Sequence, residues 1–250
     1  MTAADAIAVA AARLRSARRV TVLTGAGVSA ASGVPTFRGP DGLWRQYQAA
    51  DLATPAAFQR DPALVWEWYQ WRRARVAACE PNPAHHVLAD WSRRDGWTVI
   101  TQNVDDLHLK AGTRDLIRLH GSLWELSCWT GCPGAPKRWR DERIPLPESL
   151  PSCPACGGIA RPAVVWFGEA LDPDDLDRAI AAAACDVFIA AGTSAIVFPA
   201  AGLIDQARRE GAFTIDINPD TTPASARVDC VITCGAEDAL PALASRLSDR

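Results

Sequence analysis

The sequence predicts an α/β fold in which a parallel sheet is covered by helices on both faces and interrupted by a small inserted module. Three observations carry this. Six short apolar runs rich in β-branched residues are spaced along the chain: RVTVLTG (19–25), WTVITQN (97–103), LIRLHG (116–121), CDVFIAAG (185–192), FTIDIN (213–218) and VDCVITC (228–234). Helical patterns such as PDDLDRAIAAAA (173–184) and PAAGLIDQARRE (199–210) lie between them, and continuous apolar strands alternating with helices are the mark of a doubly covered parallel sheet. Finally, the runs end in TGAG, TQNVDD, LHG, AGTS and INPD, placing polar residues at the carboxyl ends of strands, where such sheets bind ligands.

Composition supports a globular protein and excludes several classes. At 250 residues the chain can bury a large core, as one domain or as a large domain with a small one. Its net charge of −3 gives no electrostatic footprint for nucleic acid or an anionic membrane. No apolar run reaches the roughly 18 residues of a membrane span. Alanine with arginine in the first twenty residues imitates a targeting presequence. A strand pattern begins near Val20, however, so residues 3–17 read more simply as the helix leading into it, and a cytoplasmic location is expected.

Eight cysteines are too few and too uneven for a disulfide scaffold. Cys79, Cys185, Cys230 and Cys234 are isolated, and the last three adjoin strand-like runs as small hydrophobes. The other four form C-x3-C (Cys128, Cys132) and C-x2-C (Cys153, Cys156), separated by twenty residues. Two pairs of soft thiolates suit tetrahedral zinc, and with no fifth Cys or His nearby the site is closed and structural. The surrounding stretch 126–160 is dense in proline with little periodicity, an inserted module.

GAGVSAASGVPTFRG (25–39) is a glycine-rich turn after a strand. Gly25 and Gly27 would let the backbone approach a diphosphate, with a following helix N-terminus favouring its charge. It lacks the third glycine of the common dinucleotide fingerprint, and alone it is as compatible with an unliganded turn. His120, at a strand end in RLHGS, has the placing of a general base among the other polar strand ends. His85 and His86 read as the start of a helix.

Taken together and in order, GAGVSAASGVPTFRG, PNPAHHVL, TQNVDDLH, LHGS, the two cysteine pairs, RPAVVWFGE, GTSAIVFPA and INPD resemble the sirtuin family of NAD-dependent protein lysine deacylases, from about Arg19 to the C-terminus. The C-x3-C pair departs from the C-x2-C of many members without removing a ligand. The resemblance implies a Rossmann-like large domain (approximately 1–40, 85–125 and 162–250). It also implies a small domain made of a helical insertion (41–84) and a zinc ribbon (126–161). NAD would lie against Gly25, Ala26, Gly27, Arg38, Gln102, Asn103 and Asp105, with Asp105 gripping the carboxamide. Gly192, Thr193 and Ser194 would meet the phosphates, Asn218 the adenosine ribose and Ala236 the adenine end. An acyl-lysine protein substrate would enter as an added strand between WFGE (166–169, with Phe167 and Gly168, preceded by Val165) and GTSAIVFP, which holds Val197. The implied reaction consumes NAD: the acyl oxygen displaces nicotinamide, His120 deprotonates a ribose hydroxyl that attacks the imidate carbon, and water releases lysine and acyl-ADP-ribose.

WEWYQWRRAR (66–75) adds a specificity. Asp61-Pro62 is a helix start, from which Val65, Tyr69, Arg72 and Val76 form one row beside Leu64, Trp68, Trp71 and Arg75. Arg73 and Arg75 are expected to snorkel to water. Tyr69-x-x-Arg72 resembles the pair marking the sirtuin subgroup that prefers succinyl- and malonyl-lysine, and a guanidinium is suited to grip the terminal carboxylate of such acyl groups. Two other readings are an ADP-ribosyltransferase using the same NAD site and a non-catalytic zinc-ribbon interaction module, the latter disfavoured by the acidic balance.

Overall fold

The structure is a computed structural model that describes residues 2–35, 43–44 (backbone only), 47–145, 149–194 and 196–248. In chain order the elements are α1 (Ala3–Ser16), β1 (Val20–Thr24), a 3-10 segment (Ala26–Ser32), β2 (Leu43–Trp44), β3 (Tyr47–Gln48), α2 (Ala49–Leu52), α3 (Pro55–Arg60), α4 (Pro62–Ala77) and α5 (Pro83–Trp91). There follow β4 (Trp97–Thr101), α6 (Leu107–Lys110), β5 (Ile117–Arg118), β6 (Gly121–Cys128), β7 (Trp139–Arg140) and β8 (Ala160–Val164). The chain closes with α7 (Pro173–Ala183), β9 (Val187–Ala191), α8 (Gly202–Arg209), β10 (Phe213–Ile217), β11 (Cys230–Ile232) and α9 (Ala236–Ser248).

The six expected strands form one parallel sheet in the order β11-β10-β9-β1-β4-β5. Alternate residues of each strand bury on opposite faces. Val20, Val22, Val99, Ile189 and Ile215 pack under α1, α5 and α9, while Leu23, Ile100, Phe188 and Ala190 pack under α7 and α8. The fold is therefore a Rossmann-like sheet covered on both faces. The alanine-rich first helix is part of this core: Ala6, Ala10, Ala11 and Leu14 are buried, and Thr2 and Asp5 cap its start reciprocally. Among the described residues no helix is long and apolar enough to cross a membrane.

A second cluster lies outside the sheet. Phe58, Val65, Trp66, Trp68 and Tyr69 of α3 and α4 pack against Leu123, Leu126, Ala160 and Val164. The last four sit on β6 and β8, which with β7 make a three-stranded antiparallel sheet. Here the structure shows order where the sequence showed little periodicity, because both faces of β6 are largely covered and an alternating pattern is erased. β6 and β8 also run across the junctions expected near residues 125 and 161. The helix expected from Pro199 starts at Gly202, after a turn in which Ala201 N–H donates to the Val197 carbonyl. Asp61 caps α4 as expected, accepting from Leu64 N–H at 2.9 Å.

Leaving β5, the chain turns at His120 and enters β6 through Gly121, whose φ is +78°. A Cβ at Gly121 would stand 2.0 Å from the Ala163 carbonyl oxygen. Gly121→Ala should cost the left-handed penalty of roughly 1–2 kcal/mol, and the clash adds to it. The expected result is a clearly lowered urea midpoint; an unchanged midpoint would mean that β6 and β8 do not approach so closely.

Candidate active site

Five strand ends converge at the carboxyl edge of the parallel sheet, and their loops are tied to one another. The turn after β1 touches the turn after β9: Gly27 N–H donates to the Gly192 carbonyl at 2.8 Å. A Cβ on Gly25 or Gly27 would lie 2.8 Å from the Gly192 carbonyl oxygen, and Gly192 itself has φ +58°. The glycines that sequence reasoning assigned to a diphosphate thus first permit two backbones to meet. The expected helix N-terminus there is the short 3-10 segment starting at Ala26.

Side chains complete the stitching. Gln102 donates to Thr193 Oγ1 at 3.0 Å, and Asn218 donates to the Thr193 carbonyl at 3.0 Å. Asn103 donates to the Gly25 carbonyl at 3.0 Å and to Ser29 Oγ at 3.1 Å. Ser29 in turn donates to Asp105 Oδ2 at 2.8 Å, and Leu107 N–H donates to its Oδ1 at 2.9 Å. Burial raises the Asp105 pKa, opposed by these hydrogen bonds and by the Arg72 charge. Ser194 is half-buried beside Thr193, and Ala236 opens α9 beyond β11 at the same edge of the sheet. Arg38 lies outside the described residues.

His120 is half-buried, with Nδ1 3.0 Å from the Gln102 carbonyl. A carbonyl only accepts, so Nδ1 carries the proton and Nε2 keeps its lone pair. Burial lowers the His120 pKa against the opposing pull of that hydrogen bond, so the imidazole is neutral at pH 7. Two further histidines lie beneath the site and were not assigned there from the sequence. His85, at the start of α5 as expected, has Nε2 3.4 Å from Ser29 Oγ. Its ring lies 4.8 Å from that of His108, which faces Thr24 Oγ1 at 2.9 Å. Burial pushes their pKa values down to about 4 and about 3 respectively, so both are neutral structural groups.

The aromatic helix α4 reaches the same site. Tyr69 is fully buried and its hydroxyl accepts from Trp166 Nε1 at 2.8 Å. Arg72, half-buried, lies 5.0 Å from the Trp68 ring and interacts with Tyr69 and Asp105, whose influence opposes the lowering of its pKa by burial. Arg75 is exposed as expected, but Arg73 does not snorkel. It is 1% exposed, donating Nε–H to the Leu123 carbonyl at 2.7 Å and pairing with Asp141 at 3.3 Å. It lies on the buried side of α4 with Trp66 and Tyr69, where the Leu123 carbonyl and Asp141 accept from Nε and Nη1 while Nη2 is buried without a hydrogen-bond partner among the described residues.

Phe167 and Val197 are exposed at the site's rim with Ile196 and Phe198, and Gly168 turns at φ +87°. Val165 N–H donates to the His120 carbonyl at 3.0 Å and Phe167 N–H to that of Ala53 at 2.9 Å. The backbone donors of Val165 and Phe167 are thus already engaged within the chain.

At the far end of β6 the four expected cysteine sulfurs lie within 4.8 Å of one another, with Cys128–Cys156 at 3.8 Å and Cys132–Cys153 at 3.7 Å. A tetrahedron of Zn–S bonds of roughly 2.3 Å has edges of about 3.8 Å, so the set fits one structural zinc. Desolvation and the three neighbouring cysteines push the Cys132 thiol up to about 12, a penalty that a bound cation removes.

Comparison with known proteins agrees with this geometry. A profile described as the Sir2 family matches residues 25–199. The chain belongs to the Sir2 family. It is 46% identical over 226 residues to NAD-dependent protein deacylase 1 of Caldanaerobacter subterraneus subsp. tengcongensis, covering 90% of this chain and 92% of that one. It is 51% identical to NAD-dependent protein deacylase 1 of Pseudomonas aeruginosa, covering 82% and 85%. A Sir2 homologue in complex with NAD superposes with a TM-score of 0.88 at 43% identity, covering 96% of this chain and 95% of that one. A Sir2 protein bound to a myristoylated histone peptide gives 0.74 at 31%, covering 98% and 97%.

The zinc set makes a direct expectation. Purified protein should carry one zinc per chain, and Cys153→Ser should lose the metal and melt at a lower temperature, because a structural zinc contributes to folding outright. Metal analysis finding no zinc in fully active protein would refute it.

Proposed function

We propose that this chain is an NAD-dependent protein lysine deacylase that removes succinyl or malonyl groups in preference to acetyl. The observation that carries the preference is the Tyr69–Arg72 pair, which lies on α4 yet shares its surroundings with Asp105. NAD is consumed as a substrate. The products are nicotinamide, free lysine and 2′-O-acyl-ADP-ribose, with water supplying the last oxygen.

In this reading Asp105, Asn103 and Gln102 border the nicotinamide ribose. Gly25, Ala26, Gly27, Arg38, Gly192, Thr193 and Ser194 line the phosphates, and Asn218 and Ala236 line the adenosine. The cleft lies between the parallel-sheet unit and the smaller unit formed by the helical insertion and the zinc ribbon. His120 takes a ribose hydroxyl proton on Nε2, the nitrogen left free by the Gln102 carbonyl. The acyl-lysine segment lies extended between the Val165–Gly168 stretch and Val197. Its acyl chain points to Arg72, where a terminal carboxylate receives a two-pronged ion pair with a further hydrogen bond from Tyr69.

Nicotinamide release that requires an acyl-lysine peptide is expected; release without one would instead support ADP-ribosyl transfer, and none at all an interaction module. His120→Ala should lower turnover by about 10²–10⁴ with the fold intact by circular dichroism, and retention of a tenth of wild-type turnover would remove His120 as the base. Because burial lowers the imidazole pKa, its neutral form should persist as pH falls. The acid limb of kcat/KM should accordingly lie below pH 6.5, the ordinary imidazole value.

Acyl choice is tested on one peptide carrying succinyl, acetyl or myristoyl groups. Wild type should prefer succinyl, since only a terminal carboxylate adds charge-assisted hydrogen bonds to Arg72, worth roughly 1.5–3 kcal/mol. Arg72→Met should reverse the preference and spare deacetylation; equal loss of both activities would make Arg72 an ordinary helix arginine.

A further inference from the structure

We propose that Arg73 is a positioning residue that aims Arg72 at the acyl carboxylate, an inference that rests on the acyl preference argued above. A buried arginine is poor evidence of stabilisation, since a well-packed apolar residue of similar volume usually does as well or better. What distinguishes Arg73 is where its bonds go.

Its guanidinium lies between the Trp66 and Trp124 rings, 5.8 and 5.7 Å from their centroids. Nε–H donates to the Leu123 carbonyl at 2.7 Å, and Nη1 to Asp141 Oδ1 at 3.3 Å. Those partners are the ones that hold the loop after β4. Leu123 N–H donates to the Val104 carbonyl at 2.8 Å, Trp124 Nε1 donates to the Asp105 carbonyl at 3.1 Å, and Asp141 N–H donates to the Trp124 carbonyl at 2.8 Å. Arg73 therefore fastens α4 to the same two β6 residues that fix Val104 and Asp105. The acyl end and the nicotinamide end of the site share one anchor.

The consequence is geometric. Rotating a helix by 10° moves a side chain about 5–6 Å from its axis by about 1 Å, and a two-pronged ion pair needs placement within about 0.5 Å. Arg72 follows Arg73 in any such rotation because the two are adjacent on one rigid helix. An acetyl group makes no use of Arg72 and should be indifferent to it.

The test measures kcat/KM for succinyl and acetyl forms of one peptide in wild type, Arg73→Met, Arg72→Met and the double variant. Arg73→Met should lose tenfold or more on succinyl, chiefly through KM, with acetyl within threefold. The double variant should lose no more than Arg72→Met alone, because Arg73 acts only through its neighbour. Additive losses, or equal losses on both peptides, overturn the proposal. Should Arg73→Met fail to fold, Asp141→Asn serves, since Arg143 also binds Asp141 and Arg73 keeps its Leu123 bond. It should lower the succinyl-to-acetyl ratio at least threefold, and an unchanged ratio overturns the proposal. Wild type preferring acetyl would remove the acyl-preference reading and this one with it. A succinyl preference with additive losses removes this one alone.

Discussion

Everything at the carboxyl edge of the sheet depends on one backbone contact, that between the Gly25–Gly27 turn and Gly192. β1 and β9 are neighbours in register, so their following turns leave the sheet side by side. With side chains at 25, 27 and 192 those turns would be forced apart, since each Cβ would fall within 2.8 Å of the opposite backbone. Contact between the turns brings Thr193 within reach of both Gln102 and Asn218, so loops after β4, β9 and β10 become one surface. The glycines are needed for the site to exist before they are needed for any ligand.

Beneath that surface lies a layer whose polarity is fully internal. Thr24, Ser29, Asn103, Asp105, His85 and His108 are all nearly inaccessible to water; hydrogen bonds join Thr24 to His108 and Ser29 to His85, Asp105 and Asn103, and the two histidine rings meet. Neutral histidines suit this place: they supply polar ring nitrogens without the cost of a buried cation. Asp105 is the exception, a carboxylate held by Ser29 Oγ–H and Leu107 N–H and facing Arg72. Each of these two charges eases the burial of the other, which couples α4 to the loop after β4.

Much of this was legible in the sequence, for reasons that differ by element. The six strands were visible because a parallel sheet buried on both faces leaves uninterrupted apolar runs, and their polar ends announced the site. The zinc ligands were visible because metal spacing is local. β6 was hidden because coverage on both faces erases alternation in an antiparallel strand. Arg73 was misread because helical periodicity reports which face is buried only when the buried face is apolar. Here it carries a charge held by Leu123 and Asp141, residues 50 and 68 positions away. The buried His85–His108 contact likewise joins α5 to α6, with no signal in either motif alone.

The choice of arginine on α4 follows from its surroundings. Burial works against a charge at position 72, and a lysine there could answer by giving up its proton, as buried lysines do. A guanidinium stays charged under the same pressure, and its planar fork presents two donors to one carboxylate. Retaining that cation needs opposing groups nearby, and Tyr69 and Asp105 provide them. Yet Tyr69 is a neutral phenol whose pKa burial raises further, and Asp105 also answers to Ser29 and Leu107. Arg72 therefore keeps its charge beside a phenol and a carboxylate that both have other partners. The proposed acyl preference asks this guanidinium only to add a terminal carboxylate to the partners it already has, and its two parallel donors suit that geometry.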